Sequence, residues 1–146
     1  MFLVLSAAMA VEISSESDFE VVVRRSPRAF LVEFYSGMCG SCQAFEPTWH
    51  ELTREASRLE SARVNIDTET GMELAERLGI LDLGIPAVVF YGSDQYDPLM
   101  TGDIFPLSRL LKRVYRRTRG FEIDEDGFFL RRRGRQQQRG GDLVLG

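Results

Sequence analysis

The stretch VEFYSGMCGSC, Val32 to Cys42, decides the fold, because it joins an apolar run to the only two cysteines of the 146-residue chain. The run AFLVEFY, residues 29–35, is apolar apart from one acid, and its length suits a central strand covered on both faces. After the cysteines, apolar residues recur near helical spacing. They are Phe45, Trp49, Leu52, Ala56 and Leu59. The cysteines are therefore expected where a buried strand turns into a helix.

This position predicts a redox dithiol. Cys39 should lie at or near the helix N-terminus, where unpaired N–H groups and the helix dipole favour a thiolate. Cys42, one turn later, can reach back and close a disulfide. Gly40 and Ser41 set the donors that the thiolate meets and the strain of the closed ring, so they tune the reduction potential. We expect Cys39 to be the nucleophile and Cys42 the resolving thiol.

The alternative for such a pair is half of a structural zinc site, which needs four ligands. The only histidine is His50, two helical turns past Cys42. A closed zinc site within one chain is therefore not expected, and a metal shared between two copies is the remaining metal alternative. We expect no cofactor and no metal in the chain itself.

Glu33 is the one acid within the apolar run. An unpaired buried charge is costly, and burial raises the pKa of the carboxyl group that carries it. This carboxylate must therefore face a water-filled pocket or the reacting thiols. Facing the next helix, it could accept the proton of Cys42. The alternative is an edge-facing Glu in solvent.

The remaining pattern predicts the order β-α-β-α-β-α-β-β-α, with helices on both faces of a mixed sheet. Two capping boxes, Ser17 with Glu20 and Thr70 with Glu73, are expected to begin the first and third helices. The last helix is expected from about Pro106.

The ends of the chain differ from this body. We expect an N-terminal apolar segment at 1–10, either a targeting remnant with an A-x-A ending or a docking segment, then a domain at 11–117. Residues 118–146 form a basic extension. It holds a predicted hairpin around Asp126-Gly127 and the polar run RRRGRQQQRGG.

Charge is unevenly spread within the net charge of −4. Up to Ser108 there are 7 Arg and 17 acidic residues, a balance of −10, and after it 11 basic and 5 acidic residues, a balance of +6. The basic tail could contact phosphates, but no aromatic residues are interleaved in it, so nucleic-acid binding is not favoured. A larger assembly could hold the tail instead, with Phe128, Phe129 and Leu130 as an apolar contact.

At this point the residues match a known family. VEFYSGMCGSC followed by Pro47, with GIPAVVFYG later, resembles a thioredoxin-fold domain, and Glu33 and Tyr35 bring it closer to the protein disulfide isomerase branch. The resemblance covers roughly residues 11–117 and implies an α/β thioredoxin fold.

The resemblance also implies roles for single residues. Pro86 would be the cis-proline beside the dithiol, and Ile85 would pair with a substrate peptide. Glu33 would be the buried acid and Arg63 its basic partner, where the family usually has Lys. Gly102 would match the glycine before the last helix.

Three positions depart from the family. Met38 replaces the tryptophan before the first cysteine, and Gly40-Ser41 replaces Gly-Pro or Gly-His. These changes alter the surface that meets a substrate and leave the potential open. Arg63 cannot deprotonate as Lys can.

The sequence therefore predicts a thiol-disulfide oxidoreductase that acts on the disulfides or thiols of protein substrates. The alternative is a structural or interaction subunit that kept the fold inside a larger assembly. Two cysteines do not fix the redox compartment. A secretory, ER or organelle lumen is favoured over the cytoplasm, and no segment is long enough to cross a membrane.

Overall fold

Five strands form one mixed sheet in the computed structural model, which describes residues 10–92, 95–121 and 123–128. The strand order is β1-β3-β2-β4-β5. β3 runs parallel to β1 and β2, whereas β4 runs antiparallel to β2 and β5. The strands are β1 Val11–Ile13, β2 Phe30–Tyr35, β3 Glu60–Asn65, β4 Ala87–Gly92 and β5 Gln95–Thr101. The predicted mixed α/β sheet is confirmed.

Helices cover both faces of this sheet. They are α1 Glu16–Asp18 with a π-helical continuation Phe19–Arg24, α2 Gly40–Glu55, α3 Glu69–Arg77, α4 Ile80–Leu83 and α5 Leu107–Phe121. One apolar cluster packs the π-helical segment, α3 and α4 against the sheet, and the other packs α2 and α5 against the opposite face. The predicted apolar face of α2 is confirmed, because Phe45, Trp49 and Leu52 are buried.

The central strand β2 supplies both clusters because successive side chains point to opposite faces. Phe30, Val32 and Phe34 belong to the first cluster, and Leu31 belongs to the second. Glu33 shares the face of Leu31. The acid therefore lies on the side of the sheet that α2 covers.

Both predicted capping boxes were placed two residues too late. The side chain of Ser15, not Ser17, accepts the backbone N–H of Asp18, and Thr68, not Thr70, accepts that of Gly71. In each case two hydroxyl residues suited to an N-cap stand two positions apart. Only the path of the preceding chain decides which one reaches the free N–H groups.

One additional helix and two helix boundaries also differ from the sequence predictions. The connection before Pro86 contains the short helix α4, and Leu59 follows α2 rather than belonging to it. The last helix, expected from about Pro106, begins at Leu107 and continues to Phe121, past residue 117, the expected end of the domain. Among the described residues, no helix combines the length and apolar character of a membrane span.

The segment after α5 returns to the start of β2. The N–H of Ala29 donates to the carbonyl of Gly127 at 3.0 Å, and Phe128 forms a β-bridge with Arg28. The turn predicted at Asp126-Gly127 is present. The return strand of the predicted hairpin, the basic run 131–139 and most of the apolar segment 1–10 lie outside the described residues.

Candidate functional site: a cysteine pair at the start of a helix

Cys39 is the N-cap of α2, immediately before the first helical residue. The backbone N–H of Cys42 donates to Cys39 Sγ across 3.1 Å, so the first sulfur occupies the place that a capping oxygen normally takes. Both thiols are free; Cys39 is half-buried, whereas Cys42 is only 4% exposed. The structure thus presents one sulfur and covers the other.

Asp67 holds the loop that leads to Cys39. Its Oδ1 accepts the hydroxyl of Ser36 at 2.5 Å, and its Oδ2 accepts the N–H of Gly37 at 2.8 Å. The Ser36 hydroxyl oxygen also accepts the N–H of Met38 at 3.1 Å. Neither Ser36 nor Asp67 was predicted from the sequence. The parallel pairing of β2 with β3 was the available signal, since it brings the ends of both strands to one edge.

Glu33 and Arg63 form an ion pair under α2, in which Glu33 is buried and Arg63 is partly buried. They are register partners on β2 and β3, and Arg63 Nε donates to Glu33 Oε1 across 2.8 Å. Glu33 is 1% exposed, so it is not the solvent-facing Glu of the alternative interpretation. Arg63 Cζ also lies 4.0 Å from the centre of the Tyr35 ring. The structure therefore brings the expected acid and its expected basic partner together.

Burial changes the proton affinity of two groups in the site. It raises the pKa of Glu33 to about 7, although the charge and hydrogen bond of Arg63 act in the opposite direction. Burial also raises the pKa of Cys42 to about 12, and the hydrogen bond with Cys39 and the charges of Cys39 and Glu33 add to the increase. Cys42 is therefore a protonated thiol near neutral pH, and Glu33 is close enough for its charge to act on it.

Pro86 lies at the same edge of the sheet as the cysteines. The peptide bond between Ile85 and Pro86 is cis, and Ala87, the next residue, pairs with Phe34 at the end of β2. The N–H of Gly102 donates to the carbonyl of Pro86 at 3.0 Å. This brings two backbones close together, because a Cβ added at Gly84 would lie 3.3 Å from Gly102 Cα. Both glycines have positive φ, 105° and 77°.

The surface around the pair is open. Met38 is 86% exposed, Gly40 and Ser41 are exposed, and a Cβ added at Gly40 would meet nothing within 4 Å. Ile85 is half-buried. An apolar side chain therefore stands in solvent directly before Cys39.

No group of three or more His, Cys, Asp and Glu side chains in the described part of the chain is arranged to hold a metal ion. His50 is exposed on α2, where its Nε2 lies 3.5 Å from Glu46 Oε1. The cysteine pair thus has no further ligands around it there.

Comparison with known proteins agrees with this geometry. A family model described as Thioredoxin matches residues 10–114. A protein disulfide-isomerase of Schizosaccharomyces pombe is 25% identical over 119 residues, which cover 81% of this chain and 33% of that protein. A thioredoxin of Acidithiobacillus ferridurans is 31% identical over 91 residues, which cover 60% of this chain and 79% of that protein.

Solved structures share the fold. The J-Trx1 fragment of ERdj5 superposes with a TM-score of 0.62 at 21% identity, covering 75% of this chain and 52% of that one. Chlamydomonas reinhardtii thioredoxin f2 superposes with a TM-score of 0.63 at 20% identity, covering 75% and 96%.

The relatives differ in size from this chain. It spans only 33% of the S. pombe protein and 19% of a protein disulfide-isomerase like 2-2 of Arabidopsis thaliana. The family model nevertheless matches well over half of the chain. The cysteine pair of the chain lies where β2 turns into α2. The chain belongs to the thioredoxin family.

Proposed function

We propose that this protein is a thiol-disulfide oxidoreductase that exchanges the disulfides of protein substrates through the dithiol of Cys39 and Cys42. The observation that carries the proposal is the contrast between the sulfurs. Cys39 caps α2 and is reachable, whereas Cys42 is covered and lies above a buried carboxyl group. A nucleophile and a resolving thiol need this difference.

In the first step, the Cys39 thiolate attacks one sulfur of a substrate disulfide. The bond between the two substrate sulfurs breaks, and a bond between Cys39 Sγ and the substrate forms. The leaving substrate thiolate takes a proton from solvent. The N–H of Cys42, which donates to Cys39 Sγ, and the dipole of α2 favour the attacking thiolate.

In the second step, Cys42 loses its proton to Glu33 and attacks Cys39 Sγ. The bond between Cys39 and Cys42 forms, the bond to the substrate breaks, and the second substrate thiolate leaves and is protonated. Two electrons have then passed from the dithiol to the substrate. The reverse sequence oxidises a substrate dithiol.

Glu33 suits the second step because its pKa of about 7 lets it accept and return a proton near neutral pH. Cys42 needs such a base, because its own pKa of about 12 keeps it protonated. Arg63 stays charged and holds the carboxylate in place. We assign Arg63 to positioning and Glu33 to proton transfer.

Substrate contact is proposed for Met38, Gly40, Ser41, Ile85 and Pro86. The exposed side chain of Met38 offers an adaptable apolar contact in place of the tryptophan ring that the family usually has before the first cysteine. The segment at Ile85 and Pro86 enters β4 beside the end of β2, which places its backbone at the edge where the cysteines lie. Protein segments are the substrates that such an open edge can accept.

Trapping of the intermediate tests this assignment. Reduced Cys42→Ser protein, incubated with a disulfide-bonded protein such as insulin, should accumulate a mixed disulfide visible on a non-reducing gel. Cys39→Ser protein should form none. An equal adduct with both variants, or none with Cys42→Ser, would contradict the roles given to the two sulfurs.

A structural or interaction subunit is the other candidate from the sequence, and the basic run of the extension, residues 131–139, lies outside the described residues. It predicts no adduct with either variant. A secretory, ER or organelle lumen is part of our proposal, because a protein disulfide-isomerase of Schizosaccharomyces pombe matches 81% of this chain.

A further inference from the structure

Glu46 is a carboxylate on α2, one helical turn after Cys42. We propose that Glu46 is a positioning residue for the thiol chemistry: it shares Arg63 with Glu33 and so limits how firmly Arg63 stabilises the ionised form of the buried carboxyl group. This inference rests on the proposed function, whose proton acceptor it regulates.

A single guanidinium serves three carboxylates. Arg63 Nε lies 2.8 Å from Glu33 Oε1, Arg63 Nη2 lies 3.3 Å from Glu46 Oε2, and Arg63 Nη1 lies 3.6 Å from Glu12 Oε1. The side chain of Arg63 is 14% exposed, so solvent does little to satisfy it. One positive charge is thus divided among three negative ones.

Glu46 opposes ionisation of Glu33. Its charge raises the pKa of Glu33 and ranks ahead of the charge of Glu12, which acts in the same direction. Glu12 is also the more exposed of the two and accepts the hydroxyl of Tyr35 at 3.1 Å. Glu46 is therefore the more effective competitor for Arg63.

The charged surroundings of Glu33 can be named for each element around it. β1 contributes Glu12, β2 contributes Tyr35 and β3 contributes Arg63. α2 contributes Cys42 and Glu46, and His50 lies 3.5 Å from Glu46. β4 places the apolar Val88 opposite Glu33. Glu46 is thus the member of this set that joins the helix carrying the cysteines to the guanidinium.

Removal of the Glu46 charge should leave Arg63 freer to stabilise ionised Glu33. The Glu33 carboxyl would then release its proton at lower pH and would be a weaker base toward Cys42. With Glu46 present, the carboxyl group holds a proton close to neutral pH, where it can both take and return one.

The test compares Glu46→Gln with Glu51→Gln. Glu51 is exposed on the same helix, roughly 140° around it from Glu46, and carries the same charge. The titration of Glu33 is followed through its carboxyl ¹³C resonance, assigned by its loss in Glu33→Gln. We expect the midpoint to fall by roughly half a pH unit to one unit in Glu46→Gln and to stay in place in Glu51→Gln. An unmoved midpoint in Glu46→Gln would overturn the inference.

Activity supplies the second arm. The rising limb of the pH profile for disulfide exchange should move to lower pH with Glu46→Gln alone. A shifted Glu33 midpoint with an unshifted pH profile would overturn the role in the chemistry. If wild-type protein shows no exchange at all, the proposed function fails, and the carboxyl titration still decides whether Arg63 is shared.

Discussion

At the scale of single residues, the raised pKa of Glu33 predicts how the free energy of unfolding depends on pH. Its pKa is about 7 in the folded protein against an ordinary value of 4.5, so the folded state binds more protons than the unfolded chain between these values. The contribution of Glu33 to the free energy of unfolding is therefore fully present below about pH 4.5 and is lost as the pH rises through 7.

Glu33→Gln should remove this dependence. Between pH 5 and pH 8, wild-type protein should lose about 2–3 kcal/mol of unfolding free energy relative to the variant. Urea unfolding at both pH values, with Glu51→Gln as the control, measures the difference. If the unfolding free energy changes equally with pH in wild type and Glu33→Gln, the pKa of Glu33 is not raised and the prediction is contradicted.

The same substitution should slow the second chemical step about 100-fold or more, because Cys42 loses its proton acceptor. The sequence predicted the buried acid, since a charge inside an apolar strand demands an explanation, whereas its basic partner Arg63 was implied by the resemblance to the thioredoxin family. It did not predict Asp67 or Glu46. Their contacts depend on how β2, β3 and α2 are packed together, and no local pattern in the chain records that packing.

At the scale of elements, two glycines in the first turns of helices, Gly71 and Gly40, have opposite surroundings. A Cβ added at Gly71, in the first turn of α3, would lie 2.0 Å from the carbonyl oxygen of Asn65, whereas one added at Gly40, at the start of α2, would meet nothing within 4 Å. Gly71→Ala should therefore lower the free energy of unfolding by about 1–3 kcal/mol. Gly40→Ala should leave it unchanged or raise it by up to about 1 kcal/mol.

Urea unfolding of the two variants checks this pair, and equal effects would contradict the close packing of α3 on the end of β3. Apart from α4, the types and order of the elements were predicted from hydrophobic periodicity. The caps of α1 and α3 were wrong by two residues. Neighbouring hydroxyl residues are equivalent by type, and only the path of the chain distinguishes them.

At the scale of the whole molecule, the sequence indicated an acidic body followed by basic residues, and α5 carries much of that positive charge. Six of its residues are cationic and none is acidic: Arg109, Lys112, Arg113, Arg116, Arg117 and Arg119. Composition predicts this balance because it needs no packing information. The return of Gly127 to the start of β2 was not predicted, because it depends on a contact between distant parts of the chain.

The central claim is that Cys39 and Cys42 form a working dithiol, and a redox titration tests it most directly. Purified protein is equilibrated in glutathione buffers of graded potential and quenched with a thiol-alkylating reagent. Its intact mass is then measured by mass spectrometry, with Cys39→Ser as the control. We predict a reversible two-electron transition in which both thiols become protected together, absent from the control, and its midpoint places the protein among reductants or oxidants. Two thiols that resist both oxidation and alkylation until denaturant is added would contradict the account.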